Sequence, residues 1–217
     1  MQKYIGLLKE NSLFKGFKEQ EILTILPCVE GRIESYKNGA PVVLAGEIME
    51  KIGILVEGEL SVSESDEDGG NGLLSKLTLG DVFGCAFITK ELYPATVYAP
   101  KQAKVLFLAY SKIITTCSSA CAFHRKLINN LIKTVASKLV HTQTKLGLLH
   151  KKSIRAKLTS YFRQCAVKEN PFSLAYGRGE LARYIGADRS AMYRELKKME
   201  AEKLIEIKGQ SIRWYEP

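Results

Sequence analysis

Residues 178–197, RGELARYIGADRSAMYRELK, constrain the fold of this 217-residue chain more than any other stretch. Their pattern predicts two short helices joined by a tight turn at Gly186. Asp188 is a favourable N-cap for the second helix, because its carboxylate can accept from the free N–H groups of the first turn. The apolar positions that we expect to face the core are Leu181, Ala182, Ile185, Met192 and Leu196.

The second helix, predicted over residues 189–199, has polar side chains near its N-terminus. These are Arg189, Ser190, Tyr193 and Arg194. Long hydrogen-bond donors at the entry end of an exposed helix are typical of a helix that reads base edges in the major groove of DNA. The alternative is an ordinary amphipathic helix pair with a solvated basic face, since this pattern also recurs by chance.

Positive charge is concentrated around this helix pair. The net charge of the chain is +9, and residues 150–217 hold 15 Lys and Arg against 8 Asp and Glu. Residues 1–149 are close to neutral, with 17 against 15. This asymmetry predicts a neutral regulatory part joined to a part that meets a polyanion.

Neither a membrane span nor a secretion signal is visible in the sequence. No apolar run reaches the roughly 20 residues that cross a bilayer, and the first residues lack the apolar core of a signal peptide. The five cysteines are scattered and odd in number, which fits reduced thiols better than a disulfide framework. We expect a cytoplasmic protein without a membrane partner.

The first half of the chain changes from a helical to a β pattern. Residues 1 to about 30 predict short amphipathic helices, with one over 18–26 that ends at Pro27. From about 29 to 108, short β-branched runs between turn residues predict an antiparallel β-roll. Residues 52–65 alternate around a hairpin-like break at Gly58, and residues 66–72, DEDGGNG, predict an exposed turn.

A long helix is predicted from about residue 119 to 149. Its apolar positions alternate in steps of four and three, a period of 3.5 that is typical of a coiled-coil seam. They are Ile128, Ile132, Val135, Leu139, Thr142, Leu146 and Leu149. The polar flanks favour the same helix of a second subunit as the partner. The alternative is a long helix packed on its own domain.

Residues 150–153 then predict a hinge, and a helix follows over 154–167 until Asn170 and Pro171. After the helix pair, LIEIKGQSIRWYE predicts a hairpin with Gly209 in its turn. A helix-turn-helix followed by a hairpin is a winged helix-turn-helix. The fold class is therefore α+β. We expect a β-roll sensor domain over 1–118, a dimerisation helix over 119–150 and a winged helix-turn-helix over 151–217.

This order resembles the cyclic-AMP receptor/fumarate-nitrate regulator (Crp/Fnr) family of bacterial transcription factors over nearly the whole chain. The most specific segment is residues 180–212, which looks like the DNA-binding signature of the family. Gly46, Gly58, Gly80 and Gly84 resemble its turn glycines. The resemblance implies a phosphate contact at Arg178 and base-reading roles for Arg189 and Arg194, with Ser190 and Tyr193 between them.

The resemblance also implies differences in the DNA half-site. Ser190 replaces a glutamate that the cyclic-AMP receptor uses to accept from cytosine, so we expect a related but different palindrome. Tyr193 is unusual for the family and could pack on a thymine methyl or lie along the backbone. Contacts to DNA phosphates position a protein on the duplex but do not read its base sequence. The candidates for such contacts are Lys208, Gln210, Ser211, Lys197 and Lys152.

The effector region departs further from the family pattern. It comprises Gly84, Cys85, Ala86, Phe87, Pro94, Ala95 and Thr96. Cys85 takes the place of the ribose-binding glutamate, and Pro94 stands about where the phosphate-binding arginine belongs. A phosphodiester loses its strongest charge-assisted contact without that arginine. We therefore expect that cyclic AMP is not the effector, and that the pocket binds something more apolar or is vestigial.

The cysteines give a second sensing hypothesis. Residues 1–27 contain no Cys, so the iron–sulfur cluster of the oxygen-sensing branch is not expected. Cys117, Cys121 and His124 are the clustered potential ligands, and the last two can share a helix face. A metal, haem or redox role there would act at the start of the long helix, with Cys85 as a further candidate. The alternative is small buried thiols beside a hydrogen-bonded histidine.

The sequence as a whole predicts a homodimeric regulator that binds a palindromic operator in double-stranded DNA, with RNA polymerase as a further candidate partner. The alternative is a cyclic-nucleotide-like sensor module that acts through protein contacts. An enzyme is not expected, because we find no phosphate-binding Gly loop, no framed pair of catalytic carboxylates and no metal-ligand motif.

Overall fold

The structure, a computed structural model, describes residues 1–65, 71–85, 91–115, 122–167, 169–174 and 177–215. At residues 64–65, 71–74 and 178 the structure describes the backbone but not the side chains. The chain divides into two compact units, Met1–Ser137 and Lys138–Pro217. The division falls within the long helix, where the contacts of its two ends go to different cores.

Short helices open the first unit. They are 3-10 turns at Gln2–Tyr4 and Ser12–Phe14, α1 at Ile5–Glu10 and α2 at Glu19–Cys28. The predicted end of α2 at Pro27 is wrong, because the helix continues to Cys28. A proline near the end of a helix removes only one hydrogen bond, and the N–H of Val29 still donates to the carbonyl of Ile25 at 3.1 Å.

The described part of the roll contains eight strands in two four-stranded antiparallel sheets. They are β1 Arg32–Tyr36, β2 Pro41–Val43, β3 Lys51–Glu57, β4 Leu60–Ser65, β5 Asn71–Leu77, β6 Val82–Phe83, β7 Thr96–Tyr98 and β8 Ala103–Ala109. The sheet orders are β1-β8-β3-β6 and β2-β7-β4-β5. The predicted antiparallel β architecture is confirmed, whereas most of the predicted turn at 66–72 lies outside the described residues.

The hairpin expected at Gly58 is not a hairpin. β3 and β4 belong to different sheets, so the chain crosses between sheets at this glycine. Gly58 has φ +84°, and a Cβ there would lie 2.4 Å from the carbonyl oxygen of Gln102. Only glycine fits, because both the left-handed backbone and the close approach exclude a side chain.

The alternation expected for 52–65 also fails in β3, where all residues from Ile52 to Val56 are buried, including Gly53, which the Phe83 ring covers. Leu55 faces a core between the sheets, together with Val105 and Phe107 of β8. The neighbouring side chains face a second core beneath the helices. β3 and β8 are thus covered on both faces, which requires near-continuous apolar sequence.

The helix predicted from about 119 is confirmed as α4, Ala122–Leu149, after a short α3 at Tyr110–Ile114. It has two apolar faces. Leu127 and Leu131 are buried in the core of the first unit with α1 and α2. The predicted seam lies beside them and is largely exposed, with Ile132 at 61% and Leu139 at 57%. Packing on its own domain therefore holds for the face of Leu127 and Leu131, and the pairing of the exposed seam with a second subunit stays a prediction.

The second unit contains a helical group and a small sheet. Its elements are α5 Ile154–Ala166, β9 Phe172–Ser173, α6 Arg178–Tyr184, α7 Arg189–Ala201, β10 Ile205–Lys208 and β11 Ser211–Trp214. The sheet order is β10-β11-β9, and β9 was not expected. The side chain of Asn170 joins this edge to Trp214, donating to its carbonyl at 2.8 Å and accepting from its N–H at 3.0 Å.

Candidate nucleic-acid interface

A rigid turn connects α6 to α7. The Asp188 carboxylate accepts from the N–H of Ala191 at 2.8 Å, as expected for an N-cap. Gly186 has φ +58°, and its carbonyl accepts from the Lys157 ammonium of α5 at 3.0 Å. The N–H of Ala187 donates to the carbonyl of Ala182 at 2.9 Å. These bonds fix the point at which α7 begins.

The two faces of α7 differ sharply in character. Met192, Leu196 and Met199 are buried in the core of the second unit. The exposed side chains include Arg189, Ser190, Arg194, Lys197 and Lys198, and Tyr193 is half-buried. The structure therefore brings the four expected base-reading residues together on the first two turns of α7, at its solvent side.

An ion-pair network that we did not predict holds α7 against α5. The Arg155 guanidinium of α5 donates to both carboxylate oxygens of Glu202, at 2.7 and 2.8 Å, and also to Glu195. The hydrogen bond from Arg155 lowers the pKa of the Glu202 carboxyl. A planar guanidinium makes such two-pronged contacts with a defined geometry, so Arg155 orients α7 on the core. An arginine 40 residues before its partner gives no local signal in the sequence.

The wing pairs β10 with β11, from Ile205 opposite Trp214 to Lys208 opposite Ser211. Its turn contains Gly209 at φ +63°. Lys208 forms an ion pair with Glu206 at 2.7 Å, and this pairing lowers the pKa of Glu206. The positive charge of Lys208 is therefore partly neutralised within the wing.

The other expected phosphate contacts are spread over the second unit. Lys197 lies on the exposed side of α7, Gln210 is exposed in the wing turn, and Lys152 is exposed between α4 and α5. Ser211 is half-buried. Arg178 is the first residue of α6, but its side chain lies outside the described residues. These positions stay predictions as DNA contacts.

The effector region of the roll is tightly packed where it is described. Cys85 and Ala95 are buried, Pro94 is exposed, and the Thr96 hydroxyl accepts from the N–H of Ala45 at 3.2 Å. Gly84 has φ +82°, and a Cβ there would lie 2.8 Å from the carbonyl oxygen of Lys51. Ala86 and Phe87 lie outside the described residues.

A tyrosine that we did not select lies in the same region. Tyr93 is buried, and its N–H donates to the carbonyl of Glu47 at 2.9 Å. Burial first and then the nearby Cys85 raise the pKa of the Tyr93 hydroxyl. Because Tyr93 directly precedes Pro94 in the sequence, it could have been selected as a further residue of the effector region. The described part of this region is thus apolar with a neutral phenol.

Of the expected metal or redox group, only His124 is described. It is buried at the start of α4, and its Nδ1 has no hydrogen-bond partner in the part of the chain that the structure describes. Cys117 and Cys121 lie outside that part. The described residues contain no cluster of His, Cys, Asp and Glu that could hold a metal ion, and none of their helices is long and apolar enough to cross a membrane.

The chain is similar to known proteins over most of its length. Residues 33–120 match the cyclic nucleotide-binding domain. The chain is 24% identical over 188 residues to the cAMP-activated global transcriptional regulator CRP of Pasteurella multocida (strain Pm70), covering 83% of this chain and 88% of that protein. It is 22% identical to the cAMP-activated regulator Vfr of Pseudomonas aeruginosa, over 82% and 86% of the two chains.

The solved structures agree in fold. A structure of CprK in complex with OCPA superposes with a TM-score of 0.71 at 14% identity, covering 91% of this chain and 92% of that one. Over most of its length the chain is thus similar to Crp-type transcription regulators, and its roll matches the cyclic nucleotide-binding domain at residues 33–120.

The cyclic nucleotide-binding domain of this chain lacks one type of residue. Residues 33–120 contain no arginine. Four of its lysines form surface ion pairs: Lys51 with Glu34, Lys76 with Glu59, Lys104 with Glu57, and Lys112 with Glu30. A cyclic nucleotide-binding domain without arginine has no guanidinium of its own that could bind a phosphodiester.

Proposed function

We propose that this protein is a homodimeric transcription regulator of the Crp/Fnr type that binds a palindromic DNA operator through α7. The supporting observation is the division of α7 into a buried apolar face and an exposed face that carries Arg189, Ser190, Tyr193 and Arg194. With α6 before it and the β10–β11 hairpin after it, α7 would be the recognition helix of a winged helix-turn-helix. Its first two turns would enter the major groove.

Recognition of the bases would depend most on Arg194. It is exposed on the second turn of α7, and no hydrogen bond or ion pair holds it among the described residues. A free guanidinium can donate to O6 and N7 of a guanine in a bidentate contact, worth about 1–3 kcal/mol of discrimination. Contacts to the DNA phosphates would position the protein without reading the base sequence. We expect these contacts from the wing, including Lys208 and Gln210, and from Lys197 of α7.

The homodimer would form along the exposed seam of α4. Ile132, Val135, Leu139 and Leu146 are 36–61% exposed, although coiled-coil spacing places them on one stripe. An apolar stripe of this length is stabilised when a second helix covers it. Two-fold symmetry would place two recognition helices about 34 Å apart, in successive major grooves.

Control of the regulator would come from the roll or from the start of α4. We assign residues 1–118 to sensing, 119–150 to dimerisation and 151–217 to DNA binding. The effector would not be cyclic AMP, which is consistent with the lack of arginine in residues 33–120 and with Cys85 and Pro94 in the effector region. RNA polymerase would be contacted at the promoter.

The decisive experiment selects bound duplexes from a random DNA pool with the full-length protein, in reducing buffer and again with oxidant. We expect enrichment of one palindrome, because two identical α7 helices read two half-sites. A difference between the two conditions would support a thiol switch. If the pool stayed random under both conditions, the protein would not be a sequence-specific regulator, and a sensor module acting through protein contacts would replace that function.

A further inference from the structure

A small hollow lies between the start of α6, the first turns of α7 and the tip of the wing. Its volume is about 290 Å³, and its lining includes Gly177, Gly179, Arg189, Tyr193, Gly209 and Gln210. Small-molecule sites usually occupy about 300–1,000 Å³, so the hollow suits a single small group. It opens on the face of the unit that we propose to meet DNA.

Arg189 is directed toward this hollow. Its guanidinium carbon lies 5.8 Å from the centroid of the Tyr193 ring, and a Cβ at Gly179 would be 3.8 Å from the same group. The guanidinium therefore rests against the ring on one side and the backbone of α6 on another. An aromatic face stabilises such a cation without neutralising it.

No carboxylate in the described residues forms an ion pair with Arg189. The nearest acidic candidate on α6, Glu180, instead accepts from the N–H of Gly177 at 3.1 Å. Lys208 and Arg155, in contrast, are both paired with glutamates. Among the described residues, Arg189 thus presents uncompensated positive charge in a hollow that is otherwise lined by glycine, leucine, tyrosine and the amide of Gln210.

We propose that this hollow binds one phosphate of the DNA backbone, with Arg189 as its cation, Tyr193 as the platform for that cation, and Gln210 as a donor from the wing. The inference rests on the proposed function and changes one part of it. Arg189 becomes a positioning contact, whereas Arg194 remains the reader of base sequence. The unusual Tyr193 gains a role, since its ring lies beside the Arg189 guanidinium in a hollow that the wing turn also lines.

The geometry explains why the wing and α7 would act together. Gly209 has open space around its Cβ position, so a sugar–phosphate chain can approach the turn closely. A phosphate in the hollow would touch both α7 and the wing at once. It would therefore set the depth at which α7 enters the groove.

The test compares Arg189→Ala with Arg194→Ala, using the selected operator and a random duplex across a range of salt concentrations. Arg183→Ala, at the other end of α6, is the matched control. For Arg189→Ala we expect both affinities to fall about tenfold, with the operator-to-random ratio unchanged. The slope of log K against log salt should become shallower by about 2 for a dimer, one phosphate for each subunit.

A second measurement locates the phosphate. Each backbone position of the half-site is replaced in turn by a neutral methylphosphonate. We expect one position whose neutralisation weakens the wild type about tenfold but has no further effect on Arg189→Ala, since both changes remove the same contact. Arg194→Ala should remain sensitive at that position.

Three results would overturn the proposal. The first is a loss of operator preference in Arg189→Ala with an unchanged salt slope, which would restore a base-reading role. The second is competition by inorganic phosphate at constant ionic strength that depends on Arg189, which would make a free anion the ligand. The third is a wild-type protein that binds no duplex at all, and this alone would also remove the proposed function.

Discussion

The roll and the basic unit keep the family pattern to very different degrees. Residues 33–120 contain no arginine, and the resemblance places Cys85 and Pro94 where the acidic and basic ligands of a cyclic nucleotide are expected. In residues 178–212 the two arginines proposed to meet DNA, Arg189 and Arg194, lie on one exposed helix face. Under the proposed function, the chain would have changed the chemistry of its input region while retaining that of its output region.

The difference has a physical basis. A ligand in a closed roll is held by a few buried groups, so replacing one charged residue changes which ligand can bind. DNA contacts are shared among many exposed cations, and each contributes a fraction of the affinity. A regulator can thus acquire a new signal by changing few residues, while its DNA-binding unit needs only small adjustments such as Ser190.

The largest expected effect concerns the link between two copies of the chain. Leu139→Lys places a charge on the exposed seam of α4, so the dimer should dissociate and operator affinity should fall by more than about 100-fold. Sedimentation velocity and fluorescence anisotropy would measure the two losses. Ser137→Lys, also exposed but off the seam, is the control. A dimer that survives Leu139→Lys would show that the seam is not the interface.

A second prediction tests whether the basic unit reads sequence as the family does. Arg194→Ala should reduce the preference for operator over random DNA by about 10- to 100-fold for each half-site, because a bidentate contact with guanine is lost. Competition gel shifts would give the ratio. An unchanged ratio would mean that Arg194 does not read a base.

The third prediction concerns the position at which the basic unit departs from the family. Ser190→Glu introduces a carboxylate that can accept from the amino group of cytosine. We expect a new preference for cytosine at one position of each half-site, of about fivefold to tenfold. Repeating the DNA selection with this variant would reveal it. Unaltered selected sequences would place Ser190 out of reach of the bases.

A fourth prediction tests the stability of the roll. Lys3, Lys104 and the Tyr4 hydroxyl all donate to Glu57, and these hydrogen bonds lower the pKa of its carboxyl to about 2. The stabilisation is present above the ordinary pKa of a glutamate and is lost as pH falls through about 2. The difference in Tm between wild type and Glu57→Gln should therefore shrink between about pH 5 and pH 2.

The matched control for the acid titration is Glu59→Gln, whose carboxylate lies 3.9 Å from Lys76 in an exposed pair. Its Tm should stay close to that of the wild type at every pH, because exposed pairs of this kind contribute little. Thermal melts followed by circular dichroism would provide all three curves. A Glu57→Gln difference that stays constant with pH would contradict the assigned role of this cluster.

The smallest expected effect is the response to cyclic AMP, which tests directly whether the roll departs from the family pattern. Cyclic AMP should neither bind the wild type more tightly than about 1 mM nor alter its affinity for the operator. Isothermal titration calorimetry and gel shifts with and without the nucleotide would check this. Binding of cyclic AMP in the micromolar range would contradict this prediction, and would show that the roll binds the nucleotide although residues 33–120 contain no arginine.

Much of the fold was predictable because its elements have strong local patterns. The β-rich region, the long helix and the positions of α6 and α7 follow from periodicity and capping residues such as Asp188. The predictions that were wrong or incomplete concern features that are determined by tertiary packing. Gly58 lies between two strands that pair with other partners, and β9 is only two residues long. Leu127 and Leu131 form a second apolar face that the regular seam beside them obscured.

The candidate site was predictable in its residue types and less so in its geometry. The cluster of Arg189, Ser190, Tyr193 and Arg194 follows from helical spacing alone. The position of the Arg189–Tyr193 pair beside the wing depends on how two elements pack, and the anchoring of α7 by Arg155 depends on partners far away in sequence. Neither arrangement leaves a local pattern that could be recognised in the chain.

The central place of β8 in its sheet has a consequence for synthesis. β8 lies between β1 and β3, pairing Phe107 with both Arg32 and Gly53, although it is the last strand of the roll to leave the ribosome. Until Ala109 has emerged, β1 has no partner strand and β3 can pair only with the two-residue β6, and the core beneath them also waits for Leu127 and Leu131. Because such distant pairings form slowly, the nascent roll exposes β3 to chaperones and to neighbouring chains for longer than the compact basic unit exposes its own core.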